Sequence, residues 1–104
     1  MGARERGPLT EAMFYTLMVL ARRDVCGTEI AQAVAERTAG RVKLGPGTLY
    51  TILARFLEEK YIRALEPDLV GRKRTYQLTE TGRAADQAEL RRLRQCVLDA
   101  EEDL

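Results

Sequence analysis

The run Lys43-Leu44-Gly45-Pro46-Gly47-Thr48-Leu49-Tyr50-Thr51-Ile52-Leu53-Ala54-Arg55-Phe56-Leu57 constrains the chain more than any other. A proline is at home at the first position of a helix, where its missing N–H is not needed, so Pro46 announces a helix start. Gly45 ahead of it can take the unusual backbone angles of an entry turn. Behind them Leu49, Ile52, Leu53, Phe56 and Leu57 recur at helical spacing and make one apolar face. At roughly 100° per residue, Gly47, Thr48, Thr51 and Arg55 point away from that face, with Tyr50 and Ala54 on its flank. The outward side of the first turns is therefore slim and polar. It suits a helix whose N-terminal end enters a DNA major groove, and it equally suits an amphipathic helix with an ordinary solvated face.

The flanking segments supply the context. Residues 1–8 are polar, and Gly7-Pro8 marks the edge of a flexible N-terminus. Thr10 caps a first helix, with Glu11 in the turn where the dipole favours an acid. Leu9, Met13, Leu17, Leu20 and Ala21 share its face, and Phe14 and Met18 widen the stripe, which implies burial against both the core and a partner chain. Asp24 to Gly27 reads as a break. Thr28 is placed to cap a second helix with Ile30, Ala31 and Val34 inward and Gly40 as its stop. Helix three then runs to about Lys60. Residues 61–65 and 73–78 alternate well enough for a two-stranded hairpin around a turn-rich loop, Glu66 to Arg72. Arg72-Lys73-Arg74 at its exit can be a charged edge that resists aggregation or a phosphate-contacting wing. Thr79 opens a last helix that Gly82 weakens early. In it Leu90, Leu93, Val97, Ala100 and Leu104 follow the 3-4-3-4 spacing of a coiled-coil seam over two heptads, for a dimer contact or for packing on the chain's own domain.

Composition narrows the function classes. With 104 residues, 45% apolar and 32% charged, the chain is one ordered, helix-rich domain small enough to gain from a partner subunit. Its formal charge of +1 is unevenly spread. Residues 41–76 carry eight cations against four acids, whereas residues 83–104 carry four against six, so one surface only is suited to phosphate. There is no histidine, and Cys26 and Cys96 have neither metal-ligand spacing nor the pattern of a disulfide framework. No metal, no cofactor and no catalytic residues are expected: no paired acid–base constellation stands out, and Gly45-Pro46-Gly47 continues into no phosphate-binding loop. No apolar run approaches the roughly 20 residues of a membrane span, and a cytoplasmic protein with no membrane partner is the expectation. Cys26 reads as a small buried hydrophobe.

Helix, helix, proline-started helix, two-stranded wing and long terminal helix is the order of a winged helix-turn-helix. The expected class is mainly α with a small β-hairpin, with a DNA-binding domain over 9–78 and a dimerisation helix over 79–104. The chain also resembles the PadR-like transcriptional regulators, specifically the short members with one C-terminal helix. Leu9-Thr10-Glu11-Ala12-Met13-Phe14-Tyr15, Gly27-Thr28-Glu29-Ile30, Gly45-Pro46-Gly47-Thr48-Leu49-Tyr50, Gly71-Arg72-Lys73-Arg74-Thr75-Tyr76 and Leu78-Thr79-Glu80-Thr81-Gly82 carry the resemblance, in the family's order. Cys26-Gly27-Thr28 departs from the His-Gly-Tyr that the family often has there. The resemblance implies a homodimer on pseudo-palindromic double-stranded DNA, usually a repressor. Carried onto this sequence, Pro46, Thr48, Tyr50 and Thr51 lie in the major groove, Lys43 and Arg55 meet the backbone, and Arg72, Lys73 and Arg74 form the wing. Phe14, Leu17, Leu90, Leu93, Val97, Ala100 and Leu104 are the expected dimer interface. The resemblance further implies release by a small hydrophobic or aromatic effector between the first and last helices. A winged-helix protein-interaction module without sequence-specific DNA binding is the rival reading.

Overall fold

Local capping decides where most of the helices begin. In the computed structural model, which describes residues 9–66 and 73–104, Thr10 accepts a hydrogen bond from Met13 N at 3.2 Å and opens α1, Glu11–Arg22. Such a cap contributes about 1 kcal/mol. Helix α3, Pro46–Glu58, begins with Pro46 at its first position and Gly45 as cap. Gly45 sits at φ −71°, ψ 167°, ordinary extended backbone, so the entry turn needs none of the freedom expected of it. Thr79 caps α4, Glu80–Glu102, by accepting from Gly82 N at 3.0 Å. The N-terminal segment 1–8 and most of the loop, with Arg72, lie outside the described residues.

Two expectations fail around residue 26. What reads as a break contains β1, Val25–Cys26, and the cap of α2, Gly27–Arg37, is Cys26 rather than Thr28. Two residues are too few to display an alternation, and both are buried, so no pattern announces the strand. The Glu29 carboxylate reaches back to accept from Cys26 N at 2.9 Å, while the Cys26 side chain faces the N–H of Glu29, the two halves of a capping box. The bond from Cys26 N, then the contact with the Cys26 side chain, holds Glu29 below the usual carboxylate range. Helix α2 ends at a left-handed pair, Ala39 and Gly40, whose N–H groups return to Glu36 O and Ala35 O as in a Schellman stop.

The sheet has the order β1–β3–β2, with β2 spanning Ile62–Ala64 and β3 Thr75–Leu78. Both pairings are antiparallel: Ile62 faces Leu78 and Ala64 faces Tyr76 in the hairpin, while Val25 faces Tyr76 across the third strand. Along the sheet's exposed side Arg63 Nε donates to Gln77 Oε1 at 2.8 Å, and Gln77 Nε2 donates to Asp24 Oδ2 at 3.2 Å. The sheet is thus tied together by side chains as well as by its ladder.

One core serves all these elements. Leu17 and Leu20 from α1, Val25, Ile30 and Val34, then Ile52, Leu53 and Phe56 from α3 and Ile62 from β2 form a single buried cluster. Phe56 is fully buried at its centre, its ring centroid 5.6 Å from that of Tyr61. Leu57, expected on the same face, is instead 38% exposed, since it falls just past the buried stripe. Leu17 is fully buried in this cluster and belongs to the chain's own core, a correction to its expected place on a dimer surface.

Helix α4 is moored at one end only. Thr79 N donates to Tyr61 O at 2.9 Å, and the Thr79 hydroxyl donates to Lys60 O at 2.6 Å. Gly82 is pressed so closely on this junction that a Cβ there would lie 2.1 Å from Tyr61 O. The glycine that weakens the helix in isolation is what lets it dock. Beyond Leu93 every residue of α4 is exposed, so its last two to three turns project from the domain.

Candidate nucleic-acid interface

Helix α3 presents its N-terminal half to solvent because its C-terminal half is held in the core. Ile52, Leu53 and Phe56 anchor it, which leaves Pro46, Gly47, Thr48 and Thr51 exposed on the other side. Tyr50 is the most open of these, with 74% of its surface accessible to solvent. An aromatic ring that open has no role in the core. The Thr51 hydroxyl donates to Gly47 O at 3.0 Å, so its own helix occupies the donor. Lys43 is exposed in the segment leading into the helix.

The wing base comes to the same place. Lys73 and Arg74, both exposed, precede β3, and the pairing of β3 with β1 draws them beside the start of α2. Pro46, Leu49 and Tyr50 of α3, Thr28 of α2, and Lys73 and Arg74 line one cleft of about 350 Å³. Thr28, read in sequence as a cap, is thus a member of this face, its hydroxyl 3.3 Å from Cys26 Sγ. Only the hidden strand β1 could have revealed that.

Arg55 departs from its expected place. Its side chain is 16% exposed and turns back toward α1, where a guanidinium nitrogen lies 3.2 Å from Met13 Sδ. Its Nε is 3.9 Å from a Glu59 carboxylate oxygen. It is four residues on from Thr51 and therefore on the same side of the wheel, but a long side chain follows the packed surface it can reach. Arg41, in the basic middle of the sequence, pairs with Glu11 at 2.6 Å and lies over the Tyr15 ring at 5.9 Å. The Glu11 carboxylate raises its pKa further. Both arginines serve the fold.

The expected dimer residues divide. Leu90 and Val97 are 44% and 55% exposed on α4, Ala100 and Leu104 are exposed as well, and Leu93 is half-buried. Leu98, outside the 3-4 spacing, is also exposed. Phe14 and Leu93, with Met18, Glu89 and Arg92, line a second cleft of about 360 Å³ between α1 and α4. Glu89 is buried there and accepts from Arg92, whose pKa it raises. Near it Asp86 has one carboxylate oxygen with no hydrogen-bond partner among the described residues, and burial raises its pKa. No metal-binding cluster of histidine, cysteine and acidic residues occurs among the described residues, and none of their helices is long and apolar enough to cross a membrane.

Three helices, a small antiparallel sheet and an exposed third-helix N-terminus beside a basic wing base define the winged helix-turn-helix class, with a long helix appended. Residues 16–88 match the model of the transcriptional regulator PadR-like family. The chain belongs to that family. A search of curated protein sequences found no match. Among solved structures, it is similar to a transcriptional regulator from Clostridium thermocellum, at 20% identity and TM-score 0.79 over 86% of this chain and 89% of that one. A PadR family transcription regulator from hypervirulent Clostridium difficile R20291 is similar at 22% identity and TM-score 0.79, over 89% and 97% of the two chains. The circadian clock associated protein Pex from Anabaena shares the fold more loosely, at 22% identity and TM-score 0.66 over 94% and 91%.

Proposed function

We propose that this regulator reads DNA as a homodimer, each chain placing the N-terminal half of α3 in one major groove of a pseudo-palindromic operator. The observation that carries the reading is the meeting of Pro46 and Tyr50 with Lys73 and Arg74 at one cleft, with Thr48 and Thr51 exposed on the same helix. The threonine methyls and the tyrosine ring suit thymine methyls and base edges, and the cations suit phosphate, so that one group specifies and the other positions. Lys43 joins the phosphate set from the entry to α3, and Arg72 would extend it from the wing. Repression follows if the operator overlaps a promoter.

The dimer is supported by α4. A helix that leaves Leu90 exposed in its docked half, and Val97 and Leu98 on its projecting end with Leu104 just beyond, has apolar surface to bury, and a second copy of the same helix matches it. The two reading helices then sit about one helical turn of DNA (~34–36 Å) or a multiple apart. A hydrophobic or aromatic effector in the α1–α4 cleft would act on DNA at a distance, by changing how the two chains sit together.

Selection of binding sites from a random DNA pool tests the reading. The expected product is an inverted repeat with half-sites about 10 base pairs apart, or a multiple, bound by two chains. A pool that returns no common sequence would favour the protein-interaction module instead.

A further inference from the structure

A helix C-terminus carries partial negative charge and favours cations. Arg22 and Arg37 stand in the last turns of α1 and α2, as that rule requires. Helix α4 does the opposite: its last turn holds no basic residue, and Glu101, Glu102 and Asp103 stand exposed at its end. None of these three acids makes a salt bridge among the described residues. Acids that their own helix disfavours call for cations supplied from elsewhere. Such cations converge at one place. Arg22, Arg23 and Arg37 line a cleft of about 350 Å³ between α1 and α2, together with Val19 and Ala33. None of the three is in a salt bridge among the described residues. Glu36 is the one acid in the lining, and it accepts from Gln32 at 3.4 Å. Arg23 also feels the charge of Glu29, whose carboxylate is engaged by Cys26 N.

The α4 of the same chain does not reach this cleft. Gln77 Nε2 donates to Asp24 Oδ2, which sets the start of α4 near the end of α1. Arg92 and Leu93 share a cleft with Leu9, Thr10 and Phe14 at the other end of α1. Helix α4 therefore runs back along α1 and carries its acids away from the arginines, by about 34 Å over its 23 residues. A second copy can bring them back. Two α4 helices paired antiparallel about a two-fold axis place each acidic end beside the docked start of the other, the side on which the cleft lies. With Leu90 against Val97 of a second copy, residues 101–103 of one chain come level with residues 84–86 of the other. Parallel pairing would instead bring the two acidic ends together.

We propose that the arginine cleft between α1 and α2 receives the acidic end of α4 from a second copy, an ionic clasp made twice per dimer. The clasp rests on the homodimer proposed above and not on DNA reading. The apolar stripe supplies area, and the clasp selects the antiparallel order and its register.

Sedimentation equilibrium of the full chain at about 50 mM and about 500 mM salt tests the clasp. E101K/E102K/D103K gives α4 the cations that its dipole favours, so helicity should hold or rise. Dimerisation should nevertheless weaken about tenfold or more at the lower salt, and much less at the higher. Adding R22E/R23E/R37E to the same chain makes the charges complementary again and should recover the association. If that variant fails to fold, R22Q/R23Q/R37Q takes its place, and in its background the three lysines should change nothing. Unchanged dimerisation of E101K/E102K/D103K overturns the clasp and leaves the homodimer standing. Arg91 and Arg94 are the exposed cations on α4 itself that could compete for the acids. A loss that persists in R22Q/R23Q/R37Q, or that R91Q/R94Q abolishes, puts the acids outside the cleft and overturns the clasp too. A chain that stays monomeric at every concentration overturns clasp and homodimer together, while selection of DNA sites still decides the reading by α3.

Discussion

Two surfaces of this chain are left uncovered, and they are opposite in kind. The N-terminal half of α3 offers threonine, tyrosine and nearby cations on a helix whose other end is buried in the core. The projecting end of α4 offers leucine and valine on a helix moored only at its start. The first surface is costly to leave without a charged, hydrogen-bonding partner only in specificity, since water satisfies it. The second exposes apolar area, and each buried leucine or valine there is worth about 1.5–3 kcal/mol. The contrast teaches that position and chemistry together indicate what each surface meets: a rigid polar edge suits a groove, and an unsupported apolar stripe suits another helix.

The largest expected effect removes the mooring on which the second surface depends. Gly82→Ala drives a Cβ into Tyr61 O and should cost about 3 kcal/mol or more, seen as a fall in melting temperature of roughly 15 °C. An unchanged melting temperature would mean that α4 docks differently. Next, Leu90→Asp with Val97→Asp should weaken self-association by about 100-fold in analytical ultracentrifugation, with helicity retained, because both residues sit outside the core. If the dimer survives, the stripe has another partner. On the polar surface, Tyr50→Ala should lower the ratio of specific to non-specific DNA affinity by about tenfold, and an equal loss on both DNAs would remove Tyr50 from base reading. Lys73→Ala should instead weaken all sequences alike and lower the salt slope by about one.

The smallest effect lies in the docked first half of α4, at Asp86. Its folded pKa is raised by burial, so at neutral pH the ionised group costs stability, and the cost disappears as pH falls through the raised value toward that of the unfolded chain. Asp86→Asn should therefore raise the melting temperature by about 2 °C at pH 7, with the advantage vanishing in acid. A constant difference across pH would point to packing rather than charge.

What could be read from the sequence was whatever is encoded within a turn or two. The Thr10 and Thr79 caps act on neighbours three residues away, and Pro46 acts through its own ring, so they mark helix starts without knowledge of the fold. The hairpin was legible through alternation in both strands. Strand β1 was not, because two buried residues have no period and acquire their strand only by pairing with β3. The need for Gly82 was hidden for the same reason: the group that demands it, Tyr61 O, lies 21 positions back in the sequence but against the helix in space. Arg55 lies on the predicted side of α3 but bends to Met13 and Glu59, a choice that depends on where α1 packs. Helical phase predicts the side from which a long side chain starts, and tertiary neighbours decide where it ends.

Sequence discrimination by the α3 face is what separates a DNA reader from a merely basic surface. Fluorescence anisotropy of the purified protein with a selected duplex and a shuffled duplex of equal length, at near-physiological salt, measures it. An affinity ratio of about 10³ or more is expected if α3 reads base sequence. Equal affinities for the two duplexes would contradict a reading role for α3.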